Sequence, residues 1–325
     1  MPKTVSDAQL IESWRRHYSP TLVAQEVGIN ARNVQARKKI IEARYGIRLP
    51  VIDPRRPKYD QSSLLISHDR AEAQMEIIDG TVIVSGDQHF WPGSVPVMHR
   101  AYVYLAKKLK PTLCVWNGDA FDGASISRFP SIGWESKPSV RQELDCVHER
   151  SHEVRKACPG AKFVWNLGNH DLRFETRLAA VAHEYRDVQG IHLKDHFPEW
   201  IPAWFVTINA GLPSHTEIRH REKGGIHAGY NNTKDTGVTM VTGHDHRAEV
   251  VAYDDRRGRR YGVRHGMGAD SARDPQFLNY LEARKPNWQS AVAVLNYRNG
   301  QLLMPELAMR WGDNSFEFRG EIIEV

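Results

Sequence analysis

The chain contains no long apolar run. None of its segments approaches the roughly 20 uninterrupted apolar residues that a membrane helix needs, and the opening MPKTVSDAQL has no apolar core of a secretory signal. Cysteine is scarce: Cys114, Cys146 and Cys158 form no C-x-x-C pair and no even-numbered framework. They read as reduced core thiols in a cytoplasmic protein. A net charge of only +5 over 325 residues excludes a uniformly basic surface.

The charge that is present is unevenly placed. Positions 1–60 hold twelve lysines and arginines against six acidic residues, a net of +6, so the remaining 265 residues are close to neutral. A polyanionic partner is therefore expected for the first segment alone. Ser6 and Gln9 have the spacing of a capping box, and Leu10, Ile11 and Trp14 follow on one helical face. Ser19-Pro20 starts a second helix that buries Leu22, Val23 and Val27 and is broken at Gly28. Asn30 caps a third helix, ARNVQARKKIIEARY, with Val34, Ile41 and Tyr45 inward and Gly46 at its end. Two short helices, a glycine turn and a basic helix resemble a helix-turn-helix DNA-binding unit over residues 1–48. The resemblance implies base contacts from Arg32, Asn33 and Gln35 and phosphate contacts from Arg37, Lys38 and Lys39. A small helical docking module with a solvated basic face is the alternative. LPVIDPRRPKYD, at 49–60, carries three prolines and reads as a linker.

From there residues 61–325 change character. EIIDGTVIVS reads as strand, Asp79-Gly80 turn and strand, and helices are expected over 94–109 and 138–157. Buried strands end in Gly86-Asp87-Gln88-His89, in Gly118-Asp119-Ala120-Phe121-Asp122 and in Gly168-Asn169-His170-Asp171. Strands alternating with helices give an α/β core, whose sites assemble at the carboxyl ends of the strands. The second half reads mostly as β, including strands at IPAWFVTINAG and at GGIHAGY with His227, and it carries Gly243-His244-Asp245-His246.

Asp-x-His, Gly-Asp-x-x-Asp, Gly-Asn-His-Asp, a lone His and Gly-His-x-His, in that order, resemble the motif series of the calcineurin-like metallophosphoesterases over residues 80–310. The resemblance implies a β-sandwich core flanked by helices and two divalent ions, Mn²⁺ favoured over Fe, Zn²⁺ or Mg²⁺, since the ligands are nitrogen and oxygen without thiolate. Asp119 would bridge the ions, Asp87, His89 and His246 would complete one site, and Asn169, His227 and His244 the other. A metal-bridging hydroxide would attack phosphorus. His170 would assist the leaving group, with Asp122 orienting it and raising its pKa. Asp171 would cap the helix starting at Leu172. His227 is followed by Ala228 rather than by the glycine usual in the family, while His265-Gly266 has the usual pair but falls after Gly-His-x-His. The second motif lacks the arginine that protein phosphatases carry there.

A phosphodiesterase acting on DNA, resembling DNA-repair exonucleases and phage or bacterial phosphoesterases, is the leading expectation. Phe90, Trp91 and Trp134 are candidates to stack on bases. A phosphatase or phosphodiesterase for small or cyclic nucleotides is the second, and a DNA-binding regulator with a scaffold domain is the third.

Overall fold

The computed structural model of the chain describes residues 5–17, 19–47, 49, 72–131, 134–270, 281 and 286–325. The chain divides into two compact units, Met1–Asp69 and Arg70–Val325. Apart from Leu49, the linker expected at 49–60 lies outside the described residues.

The first unit holds α1 (Asp7–His17), α2 (Pro20–Val27) and α3 (Ala31–Tyr45). The capping box forms: Ser6 N donates to Gln9 Oε1 at 2.9 Å and Gln9 N to Ser6 Oγ at 3.2 Å. Gly28 ends α2 with φ of 71°, the left-handed conformation that glycine adopts without a Cβ penalty. Asn30 Oδ1 accepts the Arg32 amide at 2.8 Å and so caps α3. Leu10, Trp14, Val23, Ala24, Val34, Ile41 and Leu49 make the core. Leu22 and Tyr45, expected inside, are exposed.

The second unit begins with β1 (Glu72–Met75), β2 (Gly80–Ser85), α4 (Val97–Leu109), β3 (Leu113–Asn117), α5 (Val140–Ala157) and β4 (Lys162–Asn166). It continues through α6 (Arg173–Val181), α7 (Leu193–His196), β5 (Ile201–Ala203), β6 (Phe205–Ile208), β7 (Thr216–Arg219) and α8 (Ala228–Thr236). It ends with β8 (Thr239–Thr242), β9 (Ala248–Asp255), β10 (Gly258–His265), β11 (Ala291–Arg298), β12 (Gln301–Leu302), β13 (Glu306–Arg310), β14 (Ser315–Phe318) and β15 (Glu321–Glu324).

The strands form two sheets. One has the order β1-β6-β7-β8-β10-β9 and the other β15-β14-β13-β11-β2-β3-β4-β5, with β12 beside β11. Val82, Val84, Val115, Val164 and Leu295 of the second sheet meet Val206, Ile218, Val241 and Val263 of the first in one shared core. The outer face of the second sheet packs Ile83, Cys114, Trp116 and Trp165 against Tyr102 and Leu105 of α4 and Leu144 and Val147 of α5. Helix α8 packs on β8, β9 and β10. The result is a β-sandwich flanked by helices, as the motif resemblance implies. The three cysteines are buried and form no disulfide.

Three local expectations fail. The strands on either side of Asp79-Gly80 do not form a hairpin, because β1 pairs with β6 in one sheet and β2 with β3 and β11 in the other. A Cβ on Gly80 would stand 2.4 Å from Thr112 Oγ1, so the glycine serves a close crossing rather than a tight turn. The segment IPAWFVTINAG splits at Trp204 into β5 and β6, again in different sheets. The expected strand at GGIHAGY is a loop leading into α8.

Candidate metal centre

Strands β2, β3 and β4 run parallel and end side by side, which brings the first three motifs to one edge of the sandwich. Strands β7, β8 and β10 of the facing sheet are also parallel to one another, and the loops after β7 and β8 reach the same point. Ligating atoms of Asp87, Asp119, His220 and His244 lie within 4.8 Å of one another, as do those of Asp87, His89 and His246. His89, Asp119 and His170 form a third such group, so both aspartates stand within reach of histidines from two groups.

His220 is the residue that the sequence reading missed. It lies directly after β7, is almost fully buried, and its Nε2 sits 3.1 Å from Asp119 Oδ2. His227, expected in that role, is exposed at the start of α8 and belongs to none of the groups. The reason is the missing strand: the loop into α8 turns His227 away from the sheet edge. The signal for His220 was available in TEIRH, an alternating run that ends in histidine, but the glycine usual in the family is replaced by Arg221. His265, the other candidate, is buried beneath the centre, where Asn117 Nδ2 meets its Nε2 at 3.0 Å. Burial lowers its pKa to about 4, so the ring is neutral.

Backbone conformation explains why these loops need their neighbours. Asp87, His89, Asp119, His244 and His246 have φ between 43° and 70°. This left-handed region costs a non-glycine residue on the order of 1 kcal/mol or more. The two-residue spacing of Asp87 and His89 is therefore not that of an extended strand; both lie in the turn beyond β2. The motif glycines are fixed by crowding. A Cβ on Gly118 would meet the His220 ring at 2.3 Å, one on Gly168 would meet Asp119 Oδ1 at 2.1 Å, and one on Gly243 would meet Asp87 Oδ2 at 2.8 Å.

Hydrogen bonds around the ligands set their tautomers. His220 Nδ1 donates to the Asn117 carbonyl at 2.7 Å, which leaves Nε2 as the nitrogen turned to the centre. Asn117 is itself held by Asn166, whose Nδ2 donates to Asn117 Oδ1 at 2.8 Å and to the Ile218 carbonyl at 2.9 Å. Asp122 Oδ1 faces both His89 Nδ1, at 2.8 Å, and His170 Nδ1, at 2.9 Å. Glu143 of α5 fixes the loop that carries Asp122 by accepting the Gly123 and Ala124 amides at 2.6 and 2.9 Å.

Asp171 does not cap a helix. The residue before α6 is Leu172, and no side chain caps there. Instead the buried carboxylate accepts the amides of Asp119, Gly168 and Phe121 and the indole N–H of Trp165. It ties the loops after β3 and β4 together.

The residues fit divalent ions. Asn169 Oδ1 is a buried acceptor without a hydrogen-bond partner, and Asp87 Oδ1 and His220 Nε2 are buried with only the His246 ring and the Asp119 carboxylate opposite them, at 3.2 and 3.1 Å. Leaving such groups unsatisfied is costly, and a cation would satisfy all of them. Burial disfavours charge on Asp87 and Asp119, yet the surrounding imidazoles hold both carboxyls well below their usual range. Burial would also push His220 down, but the Asp119 and Asp87 carboxylates lift it to about 9.

Of the expected DNA contacts, Arg32, Asn33, Gln35 and Lys39 are exposed on α3. Arg37 is engaged inside the unit, by Asp7 at 2.5 Å and the Val5 carbonyl at 2.7 Å. Lys38 sits 3.5 Å from Glu42 and over the Trp14 ring. Phe90 is fully buried against Trp116 and cannot stack on a base, whereas Trp134 is fully exposed.

No protein-family model matches the chain. The gene 54 protein of Mycobacterium phage L5 is 25% identical over 242 residues, covering 66% of this chain and 88% of that protein. Similar solved structures include zinc-complexed wild-type Vps29 from Entamoeba histolytica, with a TM-score of 0.39 and 13% identity over 75% of this chain and 98% of that one. Another is YfcE, a phosphoesterase from E. coli, with a TM-score of 0.32 and 16% identity over 69% of this chain and 97% of that one. The order of its motifs, its two facing sheets and the donor set they bring together resemble those of the calcineurin-like metallophosphoesterases.

Proposed function

We propose that the chain is a two-metal phosphodiesterase acting on DNA. The observation that carries the phosphoesterase reading is the convergence of Asp87, His89, Asp119, His220, His244 and His246, with the buried, unpartnered Asn169 Oδ1 on the loop after β4. Asp87, His89 and His246 would hold one ion and Asn169, His220 and His244 the other, with Asp119 reaching both. The nitrogen and oxygen donors suit Mn²⁺, Fe or Zn²⁺, and Mn²⁺ is our choice. When bound, two such ions supply neutralising charge for the phosphoryl oxygens and acidify a water for attack. The protein's own part is orientation. Asn117 sets the His220 tautomer, Asp122 holds His89 and His170, and Asp171 locks the two carboxylate-bearing loops.

The DNA reading is supported by the basic first unit, whose α3 exposes Arg32, Asn33, Gln35 and Lys39 on one helix. A tethered module of this kind raises the local concentration of phosphodiester near the ions. The likeness to a mycobacteriophage protein supports a phage-encoded chain working in a bacterial cytoplasm. The near-neutral charge of the second unit favours a small nucleotide as the second reading.

The test is Mn²⁺-dependent hydrolysis of single- and double-stranded DNA, RNA, bis-p-nitrophenyl phosphate, p-nitrophenyl phosphate and cyclic nucleotides. Asp119→Asn serves as the inactive control and Arg32→Ala/Lys39→Ala as the binding variant. DNA cleavage that is lost in the first and weakened in the second supports the proposal. Turnover confined to monoesters or cyclic nucleotides moves the substrate to small nucleotides.

A further inference from the structure

We propose that Arg264 is a positioning residue for the metal centre, whose guanidinium holds in place the two loops that carry His220, His244 and His246. The proposal rests on the two-metal reading above. It gives a role to Asp245, the residue of Gly-His-x-His that ligation leaves unused.

Arg264 is the last residue but one of β10. Strand alternation sets its side chain with those of Arg260 and Gly262 on the outer face of the first sheet, while Val263 joins the shared core. Helix α8 covers that outer face so closely that a Cβ on Gly262 would meet the Gly229 carbonyl. Arg264 therefore keeps only 4% of its side chain exposed. A guanidinium buried in this way needs partners for five N–H groups. It finds them on three separate pieces of chain. Nε donates to Glu249 Oε2 of β9 at 2.8 Å, and Nη2 lies 2.7 Å from the same oxygen. Nη1 donates to Asp245 Oδ2 at 2.7 Å and to the Gly225 carbonyl at 3.1 Å. Nη2 also donates to the Ile226 carbonyl at 3.2 Å.

Two of these attachments bear on the histidines. Asp245 stands between His244 and His246, which have φ of 70° and 58°. Backbone in that region persists only where its surroundings hold it. Asp245 Oδ1 accepts the Arg247 amide at 3.2 Å and closes the turn on itself, and Oδ2 is the oxygen that Arg264 takes. The aspartate thus fastens the turn to β10. Gly225 and Ile226 lie on the segment that runs from His220 to α8. No side chain from 221 to 227 is buried, so hydrogen bonds must hold this segment. At its start the His220 carbonyl accepts the Gly243 amide at 3.1 Å, and in its middle the Lys223 carbonyl accepts Asn232 Nδ2 at 3.0 Å. At its end Arg264 takes two successive carbonyls.

One planar cation with its donors in a fixed fork therefore sets the two loops against each other. The histidines it serves are the three that the first sheet supplies, with His246 assigned to one ion and His220 and His244 to the other. Asp87, His89, Asp119 and Asn169 come from the facing sheet. Loss of Arg264 should consequently weaken both ion sites from one side. Removing a partner behind the ligands of a metal typically costs about 10–100-fold in affinity.

The experiment compares Arg264→Gln, Asp245→Asn and Arg260→Gln with wild type, all as full-length protein. Arg260 is the control for a purely structural role. It lies on the same face of the same strand, is equally buried, and pairs with Asp255 at 2.6 Å. In Asp245→Asn, whichever partner the remaining oxygen keeps, the new NH₂ faces a donor, either the Arg247 amide or Arg264. Mn²⁺ affinity is read by titration against the EPR signal of the free ion. Arg264→Gln and Asp245→Asn are expected to raise the Kd about 10–100-fold, and Arg260→Gln to stay within about threefold while losing stability to urea. Binding by the first two within about threefold of wild type overturns the proposal. So does an equal weakening in Arg260→Gln, which general loosening of β10 would produce. If Arg264→Gln does not fold, Asp245→Asn decides this arm. The second arm is amide hydrogen exchange of the metal-free proteins. Arg264→Gln should lose protection in both 220–228 and 243–248, and Arg260→Gln in neither. A loss confined to one segment, or absent from both, overturns the clamp. If the wild type binds no Mn²⁺, the two-metal reading fails, and the exchange arm alone decides whether Arg264 ties the loops together.

Discussion

Replacing Asp171 by asparagine should destabilise the second unit by several kcal/mol while altering almost no volume. Oδ2 accepts the Asp119 amide at 2.7 Å, the Gly168 amide at 2.8 Å and the Trp165 indole at 3.1 Å, and Oδ1 accepts the Phe121 amide at 2.9 Å. All four partners are donors. Burial and the Asp119 charge push the carboxyl up to about 7, but a protonated carboxyl would turn an O–H toward a donor, so the ionised form is the one this geometry accommodates. Asparagine can place its one oxygen at Oδ2, which makes three charged hydrogen bonds neutral. Its NH₂ then faces the Phe121 amide, donor against donor, and that buried N–H goes unsatisfied at about 1–3 kcal/mol. With the weakening of the other three, the loss comes to roughly 3 kcal/mol. Urea denaturation of the metal-free protein at pH 8 is the assay. At a slope of about 3 kcal/mol per molar, the midpoint should fall by roughly 1 M with an unchanged slope. Asp171→Ala, which orphans four donors, should fold poorly, since a whole domain is stable by only about 5–15 kcal/mol. A midpoint for Asp171→Asn within about 0.2 M of wild type would refute the account of Asp171 as the tie between the two loops.

Two further predictions concern residues that the sequence misplaced or left unnoticed. His220→Ala should reduce bound Mn²⁺ from two ions per chain to one, and His227→Ala should leave it at two, as read by metal analysis after equilibrium dialysis; an ion lost in the His227 variant would reverse the assignment. Glu143 has its carboxyl raised to about 8 by burial and by Asp122, against 4.5 as the ordinary value. A raised folded-state pKa means that its contribution is fully present below about 4.5 and is lost as pH rises to about 8. Glu143→Gln should therefore flatten the fall in stability across that window, by a few kcal/mol at most. Parallel stability curves for the two proteins would remove Glu143 from the pH response.

Much of the centre was legible because its residues sit at the ends of apolar runs. Asp87, His89, Asp119, Asn169, His244 and His246 all follow β2, β3, β4 or β8, where a buried strand stops and polar side chains converge. His220 was harder because β7 is only four residues long and half-polar, so TEIR announces no buried strand. His227 drew attention through its neighbouring glycines, but Gly224 and Gly225 lie in the loop before α8 and Gly229 lies inside it. The tie made by Asp171 joins residues 52 and 50 positions apart, a pairing without any local pattern. The first unit was read closely, from cap to cap, because its signals are all local: Ser6 with Gln9, Asn30 with Arg32, Gly28 in its turn. What pattern could not show there was that Asp7 takes Arg37 and Arg44 into ion pairs, which leaves fewer cations for a polyanion.

The crowding at the motif glycines has a consequence for how such a chain can change over time. Gly118 is filled by the His220 ring, Gly168 by Asp119 and Gly243 by Asp87 and His265, in each case a side chain from a different strand. No glycine can accept a methyl group unless its distant partner shrinks, and no partner can shrink without giving up a donor. The motifs are thus coupled in pairs, Gly168 with Asp119 between neighbouring strands of one sheet and Gly118 and Gly243 with residues of the facing one. Single substitutions at either member are dead ends, and a lineage that abandons the metals is expected to lose glycine and ligand together. In a set of relatives, a lost ligand beside an intact glycine would mark a recent loss, and both lost would mark an old one.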